Sequence, residues 1–147
     1  MEDKSLPFAR DNVVECNHIH DALKVAVDGA GIYVSFPQAG SGATIRRNWI
    51  HDLRANPANS RGRGPWTCPG IYLDGVRPHL GVKGYHFLEN LVYGCGDPLF
   101  LLHCAKEHNT WDGNVFQKEA PSKDVLEAVG KEAGLVPPYR QRLLGTP

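Results

Sequence analysis

Two stretches decide the fold: "CNHIHDAL" at residues 16–23 and "RNWIHDL" at residues 47–53. Each contains Asn-x-Ile-His-Asp. Two His-Asp pairs in a chain of 147 residues are either halves of one acid/base or metal site, or one rung of a structural repeat built twice. Alignment on the motif decides for the repeat. Asn17-His18-Ile19-His20 and Asn48-Trp49-Ile50-His51 are followed by Asn90-Leu91-Val92-Tyr93 and, with Gly at the Asn position, by Gly113-Asn114-Val115-Phe116. The steps, from 17 to 48, 90 and 113, are 31, 42 and 23 residues.

A short β-like run precedes each motif: "NVVEC", "ATIRR", "YHFLE" and "HNTWD". A further family of strands lies between them: "GIYVSF" (31–36), "GIYLDG" (70–75) and "PLFLLHC" (98–104). Constant turns with insertions of variable length are the pattern of a solenoid, in which extra residues fall in loops. Strands this short, rich in β-branched and aromatic residues and bounded by Gly, Asn and Pro, bury little alone and must stack. Parallel stacking places Ile32, Ile71 and Leu99 in one interior column, Val34, Leu73 and Leu101 in another, and Ile19, Ile50, Val92 and Val115 in a third. The ring column His20, His51, Tyr93 and Phe116 then needs only a side chain that stacks, which favours a structural role for the His-Asp pairs.

The N-x-I-H turns, the strand "GIYLDG" with "SGATIRRNWIHDL", and the closing "AGLVPPYRQRLL" give a resemblance. Over residues 10–117 and that tail, the chain is similar to the right-handed parallel β-helix family of pectate-lyase-like polysaccharide lyases and several glycoside hydrolases. The resemblance implies an all-β solenoid of about three coils, with Asn17, Asn48 and Asn90 stacked as a ladder. The expected organisation is an N-terminal segment (1–11), the coils (12–118), and a C-terminal helix and tail (119–147). Within the last part, 120–135 reads as a helix with Ser122 as N-cap, Gly134 as its stop, and Val125, Leu126 and Val129 as an apolar face. Its expected task is to cap the C-terminal end of the coils. No such cap precedes Asn12. Either missing N-terminal coils of a larger enzyme or an end-to-end homo-oligomer is expected to cover the first coil.

Composition excludes some partners. Sixteen basic and sixteen acidic residues cancel, which argues against nucleic acid and against a polybasic membrane contact. No apolar run reaches the length of a membrane span. Related β-helix proteins are usually secreted, whereas "MEDKSLPFARDN" carries no apolar signal region, so the compartment stays open. Cys16, Cys68, Cys95 and Cys104 have no Cys-x-x-Cys spacing and read as free thiols.

In the family, substrate lies along the outside of one strand stack. Alternation along a strand points Tyr33, Tyr72 and Phe100 outward together, beside Ser35, Asp74 and Leu102. Such an aromatic row suits sugar rings, and it equally suits a covered aromatic ladder. Asp74 matches the acidic position of the family's "YLDD"-like strands, with Gly75 in place of the second Asp. Hydrolysis needs a second carboxyl group roughly 5–9.5 Å away, for which Glu107 is the candidate. A lyase instead needs a base and a cation beside a uronate, for which His103, Lys106, Arg77 and Lys83 are candidates. The loop "LRANPANSRGRGPWTCPG" (53–70) offers Trp66 to stack on a sugar, and Arg61 and Arg63 to pair an anionic group. No cofactor is implied. His18 and His20 share a strand face but lack a third zinc ligand. Calcium through Asp74, Asp97 or Asp112 lacks enough acidic oxygens. A carbohydrate-active protein that binds or cleaves a polysaccharide and a non-catalytic glycan-binding or structural module, or relic of a larger enzyme, are the two functional readings.

Overall fold

In the computed structural model of the chain, the described residues are 11–24, 29–35, 42–54, 68–75 and 83–134. They form short strands and one helix. In chain order the strands are β1 (Val13–Glu15), β2 (His18–His20), β3 (Ile32–Ser35), β4 (Thr44–Arg46), β5 (Trp49–His51), β6 (Ile71–Asp74), β7 (His86–Leu88), β8 (Leu91–Tyr93), β9 (Leu99–Leu102), β10 (Thr110–Asp112) and β11 (Val115–Phe116). The helix, α1, spans Lys123–Glu132. Among the described residues no helix is long and apolar enough to cross a membrane.

The strands make three open sheets in which every pairing is parallel. Their orders are β1-β4-β7-β10, β2-β5-β8-β11 and β3-β6-β9. The chain visits the first, second and third sheets in turn and then begins another round. Inner residues of all three meet in one core. Ile45 and Phe87 come from the first sheet, Ile50 and Val92 from the second, and Ile71 and Leu73 from the third; each is almost wholly out of water. Gly31 and Gly70 enter the third sheet hard against the second. A Cβ on Gly70 would collide with Val92 and stand 2.8 Å from the Pro98 carbonyl oxygen; one on Gly31 would meet Ile50 Cγ2 at 2.6 Å. No larger residue fits there.

The corner between the first and second sheets is a single residue with left-handed backbone followed by Asn. Cys16 (φ 55°), Arg47 (52°), Glu89 (55°) and Gly113 (60°) hold the left-handed position. Such a conformation costs a non-Gly residue about 1–2 kcal/mol. The Asn side chains offset it by hydrogen bonding from round to round. Asn17 donates its backbone N–H and Nδ2–H to Asn48 Oδ1, at 3.1 and 2.9 Å. Asn48 does the same to Asn90 at 3.2 and 2.9 Å, and Asn90 to Asn114 at 3.1 and 2.7 Å. A second amide proton of Asn48, Asn90 and Asn114 goes to the carbonyl of Val14, Ile45 and Phe87 in the preceding round.

Three expectations change. The fourth rung of the ladder is Asn114, and Gly113 is the left-handed residue before it, so the last step is 24 residues, from 90 to 114. The last round shifts by one position accordingly: Phe116 pairs with Val92 and packs on the core, while Val115 pairs with Leu91 and is exposed. Phe116 therefore leaves the ring column. The third change concerns α1, which lies beside the stack and not on its end. A Cβ on Gly130 would sit 3.3 Å from Trp49 Cζ3, and Trp49 faces out of the second sheet, opposite in direction to buried Ile50. Beyond the helix the Gly134 N–H donates to Cys16 O at 2.6 Å, back at the first round. Outward-facing Trp49 explains the docking, since its ring needs cover. Val125 stays exposed, and Leu126 and Val129 are half-buried.

Candidate functional site

The outer face of the third sheet is built by the register Tyr33–Tyr72–Phe100 and Ser35–Asp74–Leu102. The three rings stand edge to face, with centroids 4.7 Å apart for Tyr33–Tyr72 and 5.0 Å for Tyr72–Phe100. The row is unevenly open. Tyr33 is 43% exposed, Phe100 is half-buried and Tyr72 only 4% exposed. Tyr72 therefore serves as the covered middle of the ladder, and the ring face offered to solvent is that of Tyr33. Sequence alternation gives the direction of these side chains but not this difference in cover.

Tyr33 Oη donates to Asp74 Oδ2 at 2.5 Å, across neighbouring strands. Partial burial of the hydroxyl and then the Asp74 carboxylate both penalise a phenolate, so the Tyr33 pKa is held well above its ordinary value. The pair is a fixed donor–acceptor unit: one ring to stack, and a carboxylate whose second oxygen can accept from a hydroxyl.

Among the described residues, Tyr33 is the expected site residue that bonds Asp74. His103 follows Leu102, the register partner of Asp74, in a left-handed turn (φ 54°) and is exposed. Glu107 is exposed on the 3-10 turn Lys106–His108 that leads into β10. Among the described residues neither makes a hydrogen bond or ion pair with Asp74. Lys106 is engaged elsewhere: its Nζ lies 5.7 Å from the Trp111 ring centroid, and its carbonyl accepts the Trp111 Nε1–H at 2.8 Å. Lys83 is exposed. Arg61, Arg63, Trp66 and Arg77 lie outside the described residues.

The twin His-Asp pairs form a second cluster, on the outer face of the second sheet. His20, His51 and Tyr93 stack one per rung, at 5.3 and 5.1 Å and with nearly parallel planes, close to the spacing of paired strands. Each imidazole is steered by the next residue, His20 Nδ1 by Asp21 at 3.1 Å and His51 Nδ1 by Asp52 at 2.8 Å. His18 stacks on Trp49 at 4.0 Å, and its Nε2 lies 2.8 Å from His51 Nε2. With the His51 proton on Nδ1 toward Asp52, His18 is the donor of that last bond. The sequence did not announce this contact, because it joins different columns. Among the described residues no group of three or more His, Cys, Asp or Glu is placed to hold a metal ion. The repetition of Asn-x-Ile-His-Asp is thus accounted for by a ladder of amides and a ladder of rings.

Cysteine chemistry does not enter either site. All four thiols are free. Cys68 and Cys95 are buried, and burial pushes Cys95 up to about 11, leaving almost no thiolate at neutral pH.

No protein-family model, curated protein or solved structure matches the chain.

Proposed function

We propose that the three sheets are the faces of one right-handed parallel β-helix, and that this β-helix is a carbohydrate-active protein holding a polysaccharide along the outside of its third sheet. The handedness follows the general preference of parallel crossovers, which are right-handed in about 98% of cases. The observation that carries the functional reading is the Tyr33–Asp74 pair. An exposed aromatic ring stands on a parallel sheet with its hydroxyl fixed by a carboxylate. Sugars meet such a pair with a C–H face on the ring and a hydroxyl on the carboxylate oxygen. Half-buried Phe100, two rungs along, extends the apolar strip in the direction a chain-like ligand would run.

Binding is favoured over cleavage. Asp74 already accepts the Tyr33 phenol, while Glu107 and Lys106 belong to the turn around Trp111. A hydrolase or lyase reading keeps Asp74 as its acid or base, and needs a second group brought to it.

A turnover screen separates the two. Folded protein and Asp74→Asn are incubated with polyuronates and with neutral plant and algal glycans, reading new reducing ends and unsaturated uronate absorbance. Binding without turnover is the expected result. Reducing ends that vanish in Asp74→Asn would make the protein a hydrolase, and unsaturated product lost in the same variant would make it a lyase.

A further inference from the structure

The asparagine ladder has a direction, and its two ends are complementary. Asn17, Asn48 and Asn90 each send the backbone N–H and one Nδ2–H onward, and Asn48, Asn90 and Asn114 each receive two such bonds on Oδ1. The assignment of each amide oxygen is fixed, because a backbone N–H can only donate. Among the described residues nothing donates to Asn17 Oδ1, so the first round ends in an acceptor. Its spare Nδ2 proton turns instead to Glu15 O in its own corner, at 3.1 Å. The last round ends in donors: the Asn114 N–H stands where the other three rungs donate onward, and the Asn114 Nδ2 proton turns to Asp112 O at 3.1 Å.

The carbonyls follow the same rule. Asn48, Asn90 and Asn114 each reach back to the central residue of the preceding first-sheet strand, namely Val14, Ile45 and Phe87. The next member of that series is the carbonyl of Trp111. Apolar side chains on both end strands are exposed too: Val14, which faces inward in β1, is 37% exposed, and Val13 and Val115, which face outward in β1 and β11, are 52% and 41% exposed. Val14 belongs to the interior column of Ile45, Phe87 and Trp111, so its exposure marks an interior left uncovered.

We propose that the protein associates head-to-tail with further copies of itself, the first round of one copy seating on the last round of the next. Asn114 N–H and Nδ2–H of one copy then donate to Asn17 Oδ1 of the other, and Asn17 Nδ2 donates back to the Trp111 carbonyl. Two first ends facing each other would set acceptor against acceptor, and two last ends donor against donor. The contact is therefore heterologous and grows as an open series, unlike a two-fold dimer. This inference rests on the ladder and is independent of the glycan reading.

The test uses a lysine on either edge, the device by which edge strands are blunted. Val14→Lys blocks the first end, with Val13→Lys as its second version. Val115→Lys blocks the last end, with Asn114→Asp as its second version. Circular dichroism and the urea midpoint confirm that each variant is folded, and sedimentation velocity over a range of concentrations reads assembly. The wild type should form a concentration-dependent ladder of species. Each blocked variant alone should stay monomeric. An equimolar mixture of a first-end and a last-end variant should give a one-to-one dimer that grows no further, since one good end of each kind remains. A wild type that is monomeric at millimolar concentration overturns the proposal. So does a last-end variant that still dimerises by itself, because that would be a two-fold contact between first ends.

Discussion

Replacing Asn90 by Ala cuts the ladder where it is driest. Asn90 is 1% exposed and its neighbour Asn48 is fully buried. Its carboxamide accepts from Asn48 N–H and Nδ2–H and donates to Ile45 O and Asn114 Oδ1, at 3.2, 2.9, 2.8 and 2.7 Å. Asn90→Ala orphans two donors of Asn48 and the carbonyl of buried Ile45. Each buried orphan costs about 1–3 kcal/mol, and a water entering the vacated volume recovers part of that. The expected loss is about 3–5 kcal/mol, against a total stability of about 5–15 kcal/mol for a domain. In urea, with a slope of about 1–3 kcal/mol/M, that is a midpoint lower by one to several molar units. The same change should weaken along the ladder toward its wet end. Asn48→Ala orphans two donors of exposed Asn17 and the carbonyl of exposed Val14, and leaves Asn90 Oδ1 with one donor in place of two; it should cost about 1–3 kcal/mol. Asn17→Ala loses only bonds that water can replace and should cost less than about 1 kcal/mol. Equilibrium unfolding of the three variants checks the series. An Asn90→Ala protein as stable as wild type, or an Asn17→Ala protein as damaged as Asn90→Ala, would refute the reasoning.

Tyr33 gives a pH prediction. Its folded pKa is raised above its unfolded value of about 10, so its stabilising contribution is intact below that pH and is lost as pH rises toward the folded value. The difference in phenolate absorbance between wild type and Tyr33→Phe should show Tyr33 ionising above its ordinary value, and Asp74→Asn should bring that ionisation down. Thiol titration at pH 8 should leave Cys95 and Cys68 unreacted until urea unfolds the chain; prompt native reaction of Cys95 would contradict its burial and raised pKa. At the left-handed corner, Gly113→Val should cost more than Gly113→Asn by about 1 kcal/mol, since a β-branched residue is least tolerant of positive φ. Equal urea midpoints for those two variants would mean the corner is relaxed.

Much of the fold was legible because two periodicities coincide. Alternation within "GIYVSF" and "GIYLDG" assigns inner and outer faces, and the recurrence of Asn-x-Ile-His-Asp assigns which strands stack. The last round slipped by one because Gly113 was counted as a rung. The left-handed position accepts Cys16, Arg47 and Glu89 as well as Gly, so it leaves no residue signature of its own; Asn114 was the surer marker. The helix was legible as a helix, but an apolar stripe does not say what it packs on. Trp49, apolar on an outward face, was the available signal. At the candidate site, the outward direction of Tyr33, Tyr72 and Asp74 follows from strand parity. The burial of Tyr72 and the Tyr33–Asp74 hydrogen bond depend on neighbours from other rounds, which no local pattern encodes.

The most direct test of the functional account is a calorimetric titration of wild type and Tyr33→Ala with oligosaccharides from the polyuronate and neutral glycan families, both proteins first shown to have the same urea midpoint. A glycan that binds the wild type and loses at least tenfold in affinity on Tyr33→Ala is the predicted result. Binding unaffected by removal of the Tyr33 ring, or no binding to any glycan by the folded protein, would contradict it.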